Sequence, residues 1–414
     1  MIKLEKISEP SITAVPGMRA AGIHCGVKPD SELPDLAVIV TDSPAAAAAV
    51  FTANRFKAAH ILYDQEILRN HPAEIRGLVI NSGCANACTG ELGVRNAAKV
   101  AEALARQAGL PRYSVLVMST GVIGVQLPMD TILAGVAIAE KELSTEGGHA
   151  AARAIMTTDT RPKEAGVRLQ LPNGCMVTIA GMAKGAGMIH PNMATLLAVI
   201  AADVRVNPAL LQRMVKRAAD DSFNRISVDG DTSTNDTLLL LANGGSGSAE
   251  ITEQDPETLL WFRRGLRTVA CDLARKVVMD GEGATKFISI RVRGAHSDAE
   301  AMQAAKSIAN SCLVKTAFFG EDPNWGRILS AVGSSGVQVD PAKSDLFFTG
   351  KKGKRLQLVS AGTPLNYDEN EAHQMLTARK VGVVVDLHAG DGKAEAWASD
   401  LSYGYVKINA HYRT

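Results

Sequence analysis

Long apolar runs are missing from this 414-residue chain: stretches such as "TLLAVIAA" (195–202) fall far short of the roughly 20 residues a bilayer span requires. No segment is expected to cross a membrane. The opening "MIKLEKISEP" has neither the apolar centre of a signal peptide nor the Arg- and Ser-rich character of a transit peptide, so a cytoplasmic location is the expectation. Cysteine is scarce, with six residues of which only Cys84 and Cys88 are close together, which excludes a disulfide scaffold and reads as six reduced thiols. No second Cys or His pair joins them at zinc-like spacing, and the nine histidines form no H-E-x-x-H, so no metal is expected. Net charge is nearly absent too: 44 Lys and Arg against 43 Asp and Glu leave +1. The one basic cluster, "GKKGKR" (350–355), lacks the Ser or Thr of a phosphate loop and reads as a solvated hairpin turn. A nucleic-acid footprint is therefore not expected. Internal repeats and low-complexity linkers are absent as well.

What remains is the composition of an ordinary soluble globular protein, 46% hydrophobic and 21% charged. The length allows two or three structural units of roughly 100 to 200 residues. The first half alternates β-branched runs ("LAVIVTD", "IRGLVINSG", "SVLVMSTG") with Ala-rich helical sequence such as 91–108, an α/β pattern. Asn207-Pro208 reads as an N-cap followed by a first-turn proline, and Ser297 to Glu300 as a capping box. Helices are expected near 208–222, 256–279 and 298–312. From 336 onward the sequence predicts mostly strands, among them "VQVD", "DLFFTG", "KVGVVVDLH", "KAEAWASDL" and "YGYVKINAH", forming a second sheet.

The stretch "KGAGMIHPNMATLLAVIAAD" (184–203) sets a threonine, Thr195, at the junction of a glycine-rich loop and an apolar run. A threonine at a chain terminus is a self-sufficient catalyst, since its hydroxyl is the nucleophile and its own α-amino group the base. With a pKa of about 7.7 to 8.0 that amine works near neutral pH. Such a terminus arises only by cutting the chain. A hydroxyl attacking the preceding carbonyl does this through an N-to-O acyl shift, and Ala194 leaves that carbonyl open. Taken alone, Ala-Thr before an apolar strand is also an ordinary packing pattern.

"KGAGMIHPNMATLLAV" resembles the self-cleavage segment of the ornithine acetyltransferase family, the bifunctional glutamate N-acetyltransferases of arginine biosynthesis. The resemblance continues, in order, through "NSGCANACTG", "STGVIG", "IMTTDT", "SVDGDTSTNDT", "DGEGATK", "EDPNWGRI" and "INAHYRT". His411 departs from it, relatives often carrying an acid there. The resemblance implies an α/β fold like that of the N-terminal-nucleophile hydrolases, two sheets sandwiched by helices. It implies a chain cut between Ala194 and Thr195 into 1–194 and 195–414, the pieces staying together as a heterotetramer. It implies acetyl transfer from N-acetylornithine to glutamate, with Thr195 as nucleophile and Thr120 and Gly121 of "STGVIG" as the oxyanion hole. Thr157, Lys184, Thr195, Glu282, Asn409 and Thr414 would contact substrate. No cofactor is implied, and use of acetyl-CoA as a second donor stays open, since no string in the sequence marks a CoA site.

Read without the resemblance, "STGVIG" also describes a Gly-rich turn closing a strand, Lys184 a surface lysine and Glu282 a turn residue. "SVDGDTSTNDT" looks like a calcium loop but lacks the glutamate at the last loop position. It reads instead as a polar turn supporting the site from outside, without a catalytic role, and "NSGCANACTG" as turn chemistry. The rival function is a self-processing aminopeptidase of the same fold, which would use serine where this chain has threonine. A third reading is an uncut binding or scaffold protein with Thr195 as a packed strand residue.

Overall fold

A computed structural model describes residues 4–29, 31–190, 196–350 and 353–411. Among these residues sixteen strands form two mixed sheets. The larger runs in the order Leu4–Lys6, Lys163–Gln170, Met176–Lys184, Leu197–Ala202, Thr237–Ala242, Leu36–Phe51, Ile75–Cys84, Val115–Val122, with Met18–Ile23 added to Leu36–Phe51.

At its centre lies Leu197–Ala202, antiparallel to Met176–Lys184 and parallel to Thr237–Ala242. Its side chains alternate between two cores. Leu197, Val199 and Ala201 face the core built with helices Gly90–Gln107 and Met129–Lys141, while Ala198, Ile200 and Ala202 face the one built with Pro208–Asp221 and Pro256–Met279. A strand buried on both faces needs a continuous apolar run, which explains "LLAVIAA". The seven-stranded second sheet packs its own core against helices Asp298–Asn310, Cys312–Phe319 and Trp325–Gly333. Its Phe287 and Trp397 join the core around Pro256–Met279. The α/β architecture of two sheets with helices is the one expected.

The predicted helix starts are present, with Asn207 Oδ1 accepting from Leu210 N at 2.9 Å and Ser297 Oγ from Glu300 N at 3.2 Å. Two strand expectations are corrected. Residues 337–340 form no strand, and "YGYVKINAH" is the helix Tyr403–His411. No residue of that helix is buried, so its alternating apolar side chains find no sheet to join. A local bond from Gly404 N to Ser402 Oγ, 3.0 Å, turns the backbone at its start instead.

Candidate active site

Strand Val115–Val122 carries Thr120 and Gly121 at its end, where its pairing with Ile75–Cys84 slips register beside Gly83 and Cys84. Such a bulge redirects the backbone next to a site. Gly121 has φ +131°, and a Cβ there would sit 2.3 Å from the Gly83 carbonyl carbon, so no other residue fits. Both strings left without a role brace this strand end. From "NSGCANACTG", Asn81 accepts from Ser119 Oγ at 2.7 Å. From "SVDGDTSTNDT", Asn235 Nδ2 donates to Ser119 O at 2.7 Å and to Ala85 O at 2.6 Å.

Lys184 ends strand Met176–Lys184, directly across from Leu197. Its buried Nζ donates to Thr120 Oγ1 at 3.4 Å. Burial lowers the pKa of this ammonium, and Asp159 is the strongest of the charges opposing that shift.

Asp159 was not singled out by sequence, yet it orders two site segments. Its Oδ2 accepts from Thr157 N at 3.0 Å and its Oδ1 from Gly185 N at 2.7 Å. The same Oδ1 takes a hydrogen bond from Lys163 Nζ, which also reaches Asp280 Oδ2 at 2.6 Å. Burial pushes the Asp159 carboxyl up, but Lys163, Lys184 and its hydrogen bonds outweigh that and hold it at about 2. Lys163 is fully buried. Replacing it with Met would remove the ammonium that joins two buried carboxylates, a loss of about 3–5 kcal/mol. Urea unfolding of Lys163→Met is expected to show it, and an unchanged midpoint would contradict the network.

Glu282 comes from "DGEGATK", just beyond helix Pro256–Met279. A Cβ on Gly187 would lie 2.4 Å from Glu282 Oε2, so Gly187 leaves the space this carboxylate fills. Asn409 Nδ2 donates to the same oxygen at 2.7 Å. The helix bearing Asn409 rests on Gly283, where a Cβ would meet Tyr405 N at 2.3 Å. Ser402 Oγ donates to Gly283 O at 2.6 Å, and Asp400 accepts from Thr285 N and Lys286 N at 2.8 and 2.9 Å. Asp229 holds the approach to the predicted cleavage segment, accepting from Met188 N at 2.6 Å and Ile189 N at 2.8 Å.

Thr120, Gly121, Thr157, Lys184, Glu282 and Asn409, spread over 290 positions of sequence, roughly, line one cavity of about 120 Å³. These are all the predicted site residues that lie within the described part of the chain. Ala194, Thr195 and Thr414 lie outside it. Leu196, which follows Thr195 in the chain, lines a smaller cavity with Thr120 and Lys184. Thr120, Gly121, Thr157, the buried Lys184 and the acids Glu282, Asp229 and Asp231 thus line one space, a set able to hold an amino acid and to stabilise negative charge on oxygen.

The ArgJ family model matches residues 19–414. The Arginine biosynthesis bifunctional protein ArgJ of Geobacter sulfurreducens is 48% identical over 402 residues, covering 97% of this chain and 100% of that protein. Its namesake from Thermotoga neapolitana is 46% identical, covering 96% and 99%. A crystal structure of ornithine acetyltransferase complexed with ornithine, from Mycobacterium tuberculosis, is 42% identical, with a TM-score of 0.42, over 47% of this chain and 100% of that one.

Proposed function

The chain belongs to the ArgJ family, and from that premise we propose that it is an acyltransferase of arginine biosynthesis, moving an acetyl group from N-acetylornithine to glutamate. The observation that carries this reading is the single cavity shared by Thr120, Gly121, Thr157, Lys184, Glu282 and Asn409.

The chain first cuts itself. Thr195 Oγ attacks the Ala194 carbonyl, the peptide becomes an ester, and water releases the pieces 1–194 and 195–414. Sheet pairing supports their staying together: Met176–Lys184 of the first piece is bonded to Leu197–Ala202 of the second, and Thr237–Ala242 of the second to Leu36–Phe51 of the first. A heterotetramer of two cut chains is the assembly we propose.

In the reaction, the new Thr195 amine takes the hydroxyl proton as Oγ attacks the acetyl carbonyl. Thr120 Oγ1–H and Gly121 N–H donate to the oxyanion. The C–N bond to ornithine breaks, the amine taking the proton, and acetyl-Thr195 remains. Glutamate's amine then attacks that ester and regenerates the hydroxyl. Thr157, Lys184, Glu282, Asn409 and Thr414 bind substrate, with Glu282 facing the ornithine amines. No cofactor takes part. Whether acetyl-CoA also serves as donor is read from thiol release in the presence of glutamate.

Intact mass after brief exposure to N-acetylornithine tests both steps. Two chains are expected, with an acetyl group retained only on the one beginning at Thr195. A single unmodified chain from folded protein would overturn the proposal.

A further inference from the structure

The loop after strand Met18–Ile23 winds round one carboxylate and delivers a lysine that no step of the reaction uses. Asp35, fully buried, accepts from Cys25 N at 2.7 Å through Oδ1, and from Gly26 N and Lys28 N, both at 3.0 Å, through Oδ2. Its own backbone is tied in as well, Asp35 N donating to Ile23 O and Ser82 N to Asp35 O, each at 2.8 Å. A loop held at three N–H groups by charge-assisted bonds has a fixed course, so the Lys28 side chain leaves it from a set point.

That side chain runs between two parts of the candidate active site. Its stem lies against Gly83, where a Cβ would meet Lys28 Cγ at 2.9 Å. Gly83 lies in turn against Gly121, where a Cβ would meet the Gly83 carbonyl carbon at 2.3 Å. Its Nζ donates to Met156 O at 2.7 Å and to Pro34 O at 3.2 Å. Met156 O and Thr157 N belong to one planar peptide unit. Asp159 Oδ2 accepts from that N–H at 3.0 Å, so the unit is gripped at both ends and the backbone of Thr157 is set in orientation. With one bond gone, the plane could swing about the other.

We infer that Lys28 is a positioning residue of acetyl transfer: its stem backs the oxyanion donor Gly121 through Gly83, and its Nζ fixes the peptide that aims Thr157 at the substrate. Burial lowers the pKa of this ammonium and Lys184 adds to the shift, while Asp35 and Asp159 oppose it. The grip holds in either protonation state, because a neutral amine still has two N–H donors for the two carbonyls.

This inference rests on the acetyl-transfer reading, and the experiment separates the two. Transfer from N-acetylornithine to glutamate is measured in wild type, Lys28→Met and Lys28→Ala, each checked for the cut by intact mass and for its melting temperature. Met keeps a stem against Gly83 and loses both hydrogen bonds, so KM for N-acetylornithine should rise about 10-fold with kcat within about twofold of wild type. Ala removes the stem as well and opens space behind Gly83. Its kcat should therefore fall too, by about 10- to 100-fold, as the oxyanion donor is displaced. A lysine that only fastened the loop would lower the melting temperature of both variants and leave the kinetics of the folded enzyme as in wild type, a result that would overturn the inference. Equal losses of kcat in Met and Ala would overturn it too. Should Lys28→Ala fail to fold or to cut, Lys28→Met decides alone: a raised KM at kept kcat supports the inference, and an unchanged KM refutes it. A wild-type protein that transfers no acetyl group overturns the underlying reading itself.

Discussion

Thr195→Ala is expected to remain one chain of 43.7 kDa and to lose acetyl transfer by at least about 10⁴-fold. In the proposed mechanism one hydroxyl does two jobs in succession, attacking the Ala194 carbonyl once and the acetyl carbonyl at every turnover. Alanine removes both without disturbing the apolar strand that follows, whose Leu196 O accepts from Thr237 N at 2.8 Å independently of residue 195's side chain. Thr195→Ser keeps the hydroxyl and should keep the cut. Mass spectrometry distinguishes the outcomes directly: a cut Thr195→Ala protein would place the nucleophile elsewhere. An uncut variant with full transfer activity would separate cleavage from catalysis and sink the N-terminal amine as base.

Thr120→Ala carries the second largest expected effect, a loss in kcat of about 10² to 10³ with KM little changed, equivalent to about 2.7–4 kcal/mol. Differential binding sets where the loss appears. A donor aimed at oxygen matters little while that oxygen is a neutral carbonyl and much once it is an oxyanion, so removal should appear in kcat. Gly121 N–H remains, its backbone packed closely on Gly83, which keeps the loss from being total. Thr120→Ser should recover most of the activity. A raised KM at constant kcat would instead make Thr120 a ground-state ligand of the substrate.

The site residues were reached through the family resemblance of short strings, since "STGVIG", "IMTTDT" and "DGEGATK" read alone are equally turns and strand ends. The local chemistry of a helix start is what so short a span does show. The caps at Asn207 and Ser297 were legible for the same reason. The network behind the site was not. Lys163 and Asp159 sit four residues apart, a common spacing, and their third partner Asp280 lies 117 residues further on, so only the folded chain brings them together. Asn235 likewise shows its use only once Ala85 and Ser119 stand beside it. The helix Tyr403–His411 was misread because alternation of apolar residues predicts a strand only where a sheet edge waits to receive it. Here Ser402 and Gly283 start a helix on the surface instead.

The strand order across residues 194 and 195 has a consequence for the life of the molecule. Loop connections let neighbouring strands find each other at high effective concentration. Once severed, Met176–Lys184 and Leu197–Ala202 would have to meet as separate molecules, although the hydrogen bonds that pair them do not run through the cut. Refolding of the cut protein from denaturant should therefore become second order and slow with dilution, whereas uncut Thr195→Ala should refold at a rate independent of concentration. Self-processing would turn a fold assembled as one chain into one that is hard to assemble twice, leaving its durability to be governed by the rate of unfolding.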